Sequence, residues 1–132
     1  MMSETFAFIK ENGPFFISTV NGDEPAVRPF GGIMEYQGDL YVATSNKKAV
    51  YAQLKANPKV QIVSLKPAEK AWVRVNGKAE EIFDLDEKQA MLDACPPLLK
   101  NFPTKDCPTL ALFKITDMES YLYAGGEIRP LI

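Results

Sequence analysis

The sequence predicts a mostly β fold, an antiparallel barrel of six to seven strands with helices at its periphery. Three observations predict it: short runs of β-branched and aromatic residues, turn signals between these runs, and only three helix-like segments. Short antiparallel strands joined by hairpin turns favour a small barrel over a doubly wound parallel sheet. The 132 residues contain no linker, internal repeat or low-complexity stretch, so we expect a single domain over residues 1–132.

The first part of the chain is predicted to form a helix, a three-stranded antiparallel meander and a second helix. Ser3 is a suitable N-cap for the first helix, and Gly13-Pro14 ends it. The turn signals Asn21-Gly22 and Gly38-Asp39 separate the strands, and Asn57-Pro58 ends the second helix. In chain order the predicted elements are helix 3–12, strands 15–20, 25–34 and 40–44, and helix 46–56.

The second part is predicted to add four strands and a third helix. Asn76-Gly77 lies within a long strand and predicts a bulge or bend rather than the end of a hairpin. Asp84 or Asp86 can cap the third helix, and Pro96-Pro97 breaks it before a short helical piece at 98–101. In chain order the predicted elements are strands 60–65 and 71–83, helix 84–94, and strands 110–115 and 120–124.

The composition excludes several classes of function. Lysine and arginine number 15 against 17 acidic residues, and this net charge of −2 argues against a dedicated nucleic-acid-binding domain. The chain has no histidine, which excludes histidine-dependent nucleophilic and acid–base sites and most zinc or haem-iron ligation. No apolar run is long enough to span a membrane, and the N-terminus does not resemble a signal peptide. We therefore expect a cytoplasmic protein that binds no metal, nucleic acid or membrane.

The two cysteines offer no reactive motif. Cys95 and Cys107 are each followed by proline, and no C-x-x-C is present. In a reducing compartment we expect both to remain free thiols. Neither has neighbouring charges in the sequence that indicate a depressed pKa, so both are interpreted as bystanders.

A glycine pair and a rare arginine lie on one predicted strand. Arg28 is one of only three arginines, and a guanidinium group can bind a phosphate through two parallel hydrogen bonds. Gly31-Gly32 weakens the strand and indicates a bulge or a close approach of the backbone to a ligand. The alternative for Arg28 is a surface arginine on a half-exposed strand.

The junction between the third predicted strand and the second helix carries hydroxyls and lysines. Thr44 and Ser45 end the strand, and Lys47 and Lys48 are predicted to lie in the first helical turn. The helix dipole disfavours cations there, and an anion bound at the helix N-terminus resolves the conflict. The alternative is a pair of solvated lysines. Because the strand before this one carries Arg28, adjacent antiparallel strands can bring guanidinium, hydroxyl and ammonium groups to one phosphate.

Four motifs follow one another along nearly the whole chain. They are P-A-V-R-P-F-G at 25–31, L-Y-V-A-T at 40–44, K-K-A-V-Y-A-Q-L-K-A-N-P at 47–58, and V-R-V-N-G-K-A-E at 73–80. In this order and spacing the chain resembles the pyridoxamine 5'-phosphate oxidase-like family of FMN-binding split barrels, and in particular its short single-domain members.

The resemblance implies a flavoprotein in which a split barrel forms a homodimer, with FMN at the subunit interface. Arg28, Thr44, Lys47 and Lys48 match positions that bind the FMN phosphate, and the backbone of 29–31 matches the edge that faces the isoalloxazine ring. Trp72 occupies the place of a glutamine that reaches the flavin in the oxidases. With Ser45 added, the expected cofactor-binding residues are Arg28, Pro29, Phe30, Gly31, Thr44, Ser45, Lys47, Lys48 and Trp72.

The C-terminal segment departs from the true oxidases. Residues 123–129 are similar to their W-x-G-G-x-x-R segment, with Tyr123 in place of the tryptophan and Arg129 retained, so both are expected to contact a small-molecule substrate. The histidine and second arginine that follow in the oxidases are absent here. We therefore do not expect a true pyridoxamine phosphate oxidase. The nitroimidazole-resistance relatives carry a characteristic histidine that this chain also lacks.

The expected function is an FMN-dependent oxidoreductase that transfers electrons or hydride to an unidentified small acceptor. No side chain is a compelling general acid or base, so no catalytic residue is assigned. One alternative is a non-catalytic carrier or sensor of flavin or tetrapyrrole. Another is a structural dimer module with an empty cleft.

Overall fold

A computed structural model describes residues 2–132 and contains eight strands and three α-helices. The strands are β1 (Phe15–Asn21), β2 (Glu24–Phe30), β3 (Ile33–Tyr36), β4 (Asp39–Ser45), β5 (Lys59–Lys66), β6 (Ala71–Ile82), β7 (Leu110–Ala124) and β8 (Glu127–Pro130). The helices are α1 (Glu4–Glu11), α2 (Ala49–Ala56) and α3 (Leu85–Ala94), with short 3-10 helices at Pro67–Glu69 and Pro96–Lys100.

The strands form one antiparallel sheet in the order β2-β1-β5-β6-β7-β4-β3, and β8 pairs with β7. The edge strands β2 and β3 do not pair with each other, so the barrel is not closed. The predicted mostly β, antiparallel fold with peripheral helices is confirmed, with eight strands in place of the expected six to seven. Among the described residues, none of the helices has the length and hydropathy needed to cross a lipid bilayer.

The predicted strand 25–34 is in fact two strands, and the reason is long-range pairing. β2 ends at Phe30 and pairs with β1, whereas β3 begins at Ile33 and pairs with β4 at the opposite edge of the sheet. Gly31-Gly32 is therefore the point at which the chain crosses the opening of the barrel. The expectation of a single strand interrupted by a bulge is wrong here.

The C-terminal strands also differ from their predicted bounds. The two strands expected at 110–115 and 120–124 are one long strand, β7, which pairs with β6 almost throughout. The register between these strands shifts between Asn76 and Lys78, which confirms the bulge predicted at Asn76-Gly77. β8 was not expected; Gly125 and Gly126 both have positive φ and form the turn that leads into it.

Two clusters of buried side chains lie on opposite faces of the sheet. On the inner face of the sheet, α1 and α2 pack against strand residues such as Ile17, Ile62 and Phe113. On the outside, α3 packs through Met91 and Leu92 against the outer residues of β3, β4 and the start of β7. The outer face of β1, β2, β5 and the first half of β6 belongs to neither cluster, whereas Ile82 at the end of β6 packs against the outer one.

Candidate functional site

A cleft with a volume of about 1100 Å³ opens at the Gly31-Gly32 crossing, between the N-terminus of α2 and the 3-10 helix that follows α3. Clefts of about 300–1,000 Å³ are typical for small ligands and cofactors. Seven of the nine residues expected to bind the cofactor line it. They are Arg28, Pro29, Phe30, Gly31, Thr44, Ser45 and Lys48.

The backbone at the glycine pair is open on one side and packed on the other. A Cβ atom placed on Gly31 would meet no atom within 4 Å, whereas one on Gly32 would lie 3.4 Å from Met91 Cε and 3.5 Å from Leu98. Gly32 thus lets the chain pack closely on α3. Gly31 leaves its backbone accessible, so a flat ring can approach it closely.

The N-terminus of α2 reaches the cleft without a capping side chain. The helix begins at Ala49, so the expectation that Lys47 and Lys48 occupy its first turn is wrong. Lys48 is the N-cap residue with an extended backbone, and its side chain makes no capping hydrogen bond. The first turn contains no acidic residue. The partial positive charge of the helix end is therefore not neutralised by the helix itself.

Asn46 explains the late start of α2. Its backbone N–H donates to the carbonyl oxygen of Thr109 (2.9 Å), and its side-chain amide donates to that of Pro108 (2.8 Å). These bonds hold residue 46 against the segment before β7 and outside the helix. Lys47 follows as an exposed residue and does not line the cleft, although it precedes Lys48 directly.

Thr44 and Ser45 bring two hydroxyls to the end of β4. Thr44 is buried and lies opposite Ala111 of β7, and Ser45 lies opposite Leu110. The Ser45 hydroxyl oxygen accepts a hydrogen bond from the backbone N–H of Lys47 at 3.2 Å. Both residues line the cleft beside the start of α2.

Arg28 is held in place by neighbouring strands and by α2. Its Nη1 donates to Thr19 Oγ1 (2.8 Å) and to the Ile17 carbonyl oxygen (3.3 Å), and its Nη2 donates to Gln53 Oε1 (2.7 Å). The Thr19 hydroxyl donates to the same Gln53 oxygen at 2.6 Å. Burial lowers the pKa of Arg28, but a guanidinium stays charged. Among residues 2–132, its Nε–H and one Nη2–H have no acceptor and remain for a ligand.

The charge of the cleft is positive although the chain as a whole is negative. Lys10, Arg28 and Lys48 line it, and no aspartate or glutamate does so within residues 2–132. Lys10 was not singled out from the sequence, because a lysine in the last turn of a helix is typical of any helix end. The arrangement favours an anionic ligand.

Trp72 lies outside this cleft, on the outer face of the sheet. Its ring stacks on that of Tyr123, with centroids 3.9 Å apart and planes 6° apart. The guanidinium of Arg74 lies 4.9 Å from the Trp72 ring and 5.3 Å from the Tyr123 ring, and Nη1 donates to the Tyr123 hydroxyl at 3.3 Å. Arg74 Nε is buried without a hydrogen-bond partner among the described residues.

Arg129 also lies away from the cleft. Its guanidinium forms a two-pronged ion pair with Glu4, at 3.2 Å from Nη1 to Oε1 and 2.6 Å from Nη2 to Oε2. These hydrogen bonds hold the pKa of the Glu4 carboxyl below its ordinary value. Within one chain, Tyr123 therefore meets only Trp72 among the other predicted residues, and Arg129 meets none of those that line the cleft. Their expected contact with substrate stays a prediction for a site shared between two chains.

The two cysteines are free thiols in separate surroundings. Cys95 lines the cleft, and its Sγ–H donates to the Ile33 carbonyl oxygen at 3.2 Å. Burial raises the pKa of the Cys95 thiol, which keeps it protonated at neutral pH. Hydrogen bonding with Thr109 lowers the pKa of Cys107.

Comparison with known proteins decides the family. A family model described as pyridoxamine 5'-phosphate oxidase matches residues 1–112. The chain belongs to the pyridoxamine 5'-phosphate oxidase-like family. A solved structure of a NimC/NimA family protein from Clostridium acetobutylicum is 34% identical, with a TM-score of 0.87 over 95% of this chain and 87% of that one.

More distant members of the fold are also similar. General stress protein 26 from Bacillus anthracis has a TM-score of 0.76 at 22% identity, covering 96% of this chain and 95% of its own. A heme binding protein from Mycobacterium smegmatis has a TM-score of 0.74 at 17% identity, covering 93% of this chain and 54% of its own. At these identities the likeness shows the split-barrel fold alone. No curated protein matches the chain.

Proposed function

We propose that this protein binds FMN in the cleft and transfers electrons or hydride to a small acceptor. The observation that carries the proposal is the cleft itself: Arg28 and Lys48 line it at an uncapped helix N-terminus and beside an open glycine backbone, and no carboxylate of residues 2–132 lines it. A phosphate group on a planar ring system fits both halves of this arrangement.

Different residues of the cleft are assigned to the phosphate and to the ring of FMN. We assign the phosphate to Lys48, the Thr44 hydroxyl, the N–H groups that begin α2, and the two remaining donors of Arg28. The backbone of residues 29–31 lies against the ring, where a side chain on Gly31 would intrude. FMN, when bound, supplies the redox chemistry, and the protein supplies binding, orientation and electrostatics.

We further propose that two copies join through the outer face of the sheet. Strand alternation places four large apolar side chains on this face, all strongly exposed in one chain. They are Phe16 (48% exposed), Val27 (67%), Leu65 (49%) and Ile128 (62%). A contiguous apolar patch of this kind marks an interaction surface.

The Trp72–Tyr123 stack lies within the same face, since Trp72 is paired with Leu65 in β5 and Tyr123 with Ile128 in β8. Stacked aromatics and an arginine are typical of the energetic centre of an interface. A second copy docked here accounts for Trp72 and Tyr123 as residues that complete a cofactor site shared by two chains.

Pyridoxamine 5'-phosphate is expected to be a poor substrate. Arg129, which is expected to contact the substrate, is paired with Glu4 and lies away from the cleft, so its guanidinium is not free to hold the phosphate of this substrate. Hydrogen peroxide release with this substrate should therefore be marginal. Efficient release that is lost in Arg129→Ala would show that Arg129 holds this substrate and would contradict the expectation.

Absorbance spectroscopy tests the proposed function. The purified protein reconstituted with FMN should show bound-flavin bands after removal of free cofactor. It should bleach with NAD(P)H under anaerobic conditions and reoxidise with a nitroaromatic or quinone. Bound flavin without turnover would support a flavin carrier. No bound flavin would contradict the proposed function and leave the tetrapyrrole carrier and the structural dimer module.

A tetrapyrrole carrier is the second candidate, favoured by the fold shared with the heme binding protein. Cys95 is the cleft residue with a sulfur that could ligate haem iron, but burial raises its pKa and disfavours the thiolate that such ligation needs. Hemin titration should therefore give no Soret shift. A saturable shift, competing with FMN, would support this candidate.

A further inference from the structure

The cleft has two ends of different chemistry. The end at α2 is polar and contains Thr44, Ser45, Lys48 and Thr109. The other end lies between α1 and the 3-10 helix Pro96–Lys100, and its side chains are mainly apolar. They include Ile9, Pro14, Pro97, Leu98 and Phe102. An aromatic ring fits this apolar end, whereas the phosphate assigned above belongs to the polar one.

Lys10 is the charged side chain of the apolar end. It extends from the last turn of α1, with its ammonium 5.6 Å from the centroid of the Phe6 ring, and it forms no ion pair within residues 2–132. Glu11, the acid next to it in the chain, pairs instead with Lys66 at 3.6 Å. The positive charge at this end is therefore not compensated.

The field of Lys10 reaches into the cleft. Its charge opposes the rise in the pKa of Cys95 that burial causes, and Cys95 also lines the cleft. The other candidate for contact with an anionic substrate, Arg129, is paired with Glu4. Arg28 and Lys48 lie with the polar groups of the other end.

We propose that Lys10 gives the cleft a preference for planar acceptors that carry a carboxylate, with the ring among the apolar residues and the carboxylate at the ammonium. This proposal rests on the proposed function, because the acceptor occupies the space beside the bound FMN. In this proposal Lys10 determines which acceptor binds, and it takes no part in the redox step, for which FMN supplies the chemistry.

Equilibrium binding tests the proposal without turnover. FMN-loaded protein is titrated with 4-nitrobenzoate and with neutral 4-nitrobenzamide, following the flavin difference spectrum. The wild type should prefer the carboxylate, and Lys10→Gln should weaken its binding about tenfold while changing the amide less than about twofold. Lys10→Arg should retain the preference. Lys59→Gln, with the same charge change on an exposed residue outside the cleft, should behave as the wild type.

Other outcomes overturn the proposal. Equal loss for carboxylate and amide in Lys10→Gln would mean that the lysine supports α1 through the helix dipole alone. The proposal is also overturned if the wild type binds carboxylate and amide equally, or if Lys59→Gln weakens carboxylate binding as much as Lys10→Gln does. FMN affinity is measured first on each variant and should stay within about twofold of the wild type. Failure of the wild type to bind FMN would overturn the proposed function as well, whereas tight FMN binding without carboxylate preference overturns this inference alone.

Discussion

The cleft and the outer face of the sheet are built for different partners. The cleft brings together cations, hydroxyls, apolar side chains and an uncapped helix end from segments far apart in the sequence. The outer face presents Phe16, Val27, Leu65 and Ile128 together with a stacked aromatic pair. The first surface fits a small anionic ligand, and the second fits protein.

The comparison separates two functions of one chain: binding of a phosphate in the cleft and association of two copies through the outer face. The cleft is formed within a single chain, so binding of phosphate should survive mutations that separate two copies. Trp72 and Tyr123 cannot reach that cleft from the outer face of the same chain, so their contribution to it requires a partner. The predictions below separate these two dependencies.

The largest effect is expected at the outer face. Trp72→Glu places a charge in the proposed interface and should weaken dimerisation by at least about 3 kcal/mol, more than 100-fold in the dissociation constant. Sedimentation velocity at micromolar concentration measures this. Phe83→Glu is the matched control, since Phe83 is also apolar and 67% exposed but lies just beyond the end of β6. FMN affinity should fall in the first variant only; a monomer that keeps tight FMN binding would contradict the shared site.

The next effect concerns the phosphate. Lys48→Ala should weaken FMN by about 1.5–3 kcal/mol because a charge-assisted hydrogen bond is lost at the end of α2. Riboflavin, which has no phosphate, should bind almost equally to both proteins. Flavin fluorescence titration gives both constants, with Lys59→Ala as the control. If FMN and riboflavin lost affinity equally, Lys48 would act on folding instead.

A smaller effect is expected where Arg28 is anchored. Gln53→Leu removes the acceptor shared by Arg28 and the buried Thr19 hydroxyl, which should lower the free energy of unfolding by about 1–2 kcal/mol. Urea denaturation measures the change. FMN affinity should decrease less than in Lys48→Ala, because Arg28 keeps its bond to Ile17. An unchanged stability would show that the network does not hold the guanidinium.

The smallest effect is expected at the Glu4–Arg129 pair, in which both side chains are more than half exposed. Because the pKa of Glu4 is lowered in the folded state, the pair stabilises the fold above the unfolded pKa and loses this effect as pH falls through the folded pKa. Arg129→Ala should therefore melt slightly earlier than the wild type at pH 7 and at the same temperature in strong acid. A difference that grew towards low pH would contradict this assignment.

Local signals explain which parts of the fold could be predicted. Ser3 caps α1 as expected, and the bulge at Asn76-Gly77 is present. A Cβ on Gly77 would lie 2.6 Å from Ile115 Cγ2 and 2.9 Å from the Thr116 oxygen, so the glycine is required by packing that the sequence does not reveal. Turns and helix caps depend on residues that are adjacent in the sequence, so they can be predicted from the sequence alone.

The errors came from contacts that are distant in the chain. The start of α2 depends on Asn46, whose side chain binds a carbonyl 62 residues away. The division of the strand at Gly31-Gly32 depends on which strand each half pairs with. Seven of the nine residues expected to bind the cofactor line the cleft, and their role in binding stays a prediction. The sequence does not point to Lys10, because its proximity to Cys95 arises only from the packing of α1 beside the barrel opening.

The central claim is that the cleft recognises a flavin through its phosphate. Parallel fluorescence titrations of the wild-type protein with FMN and riboflavin, at low and high salt, test it most directly. We predict one FMN per chain, bound at least about tenfold more tightly than riboflavin, with a preference that shrinks as salt screens the cleft. Equal affinities for the two flavins at both salt concentrations, or no binding of either, would contradict the account.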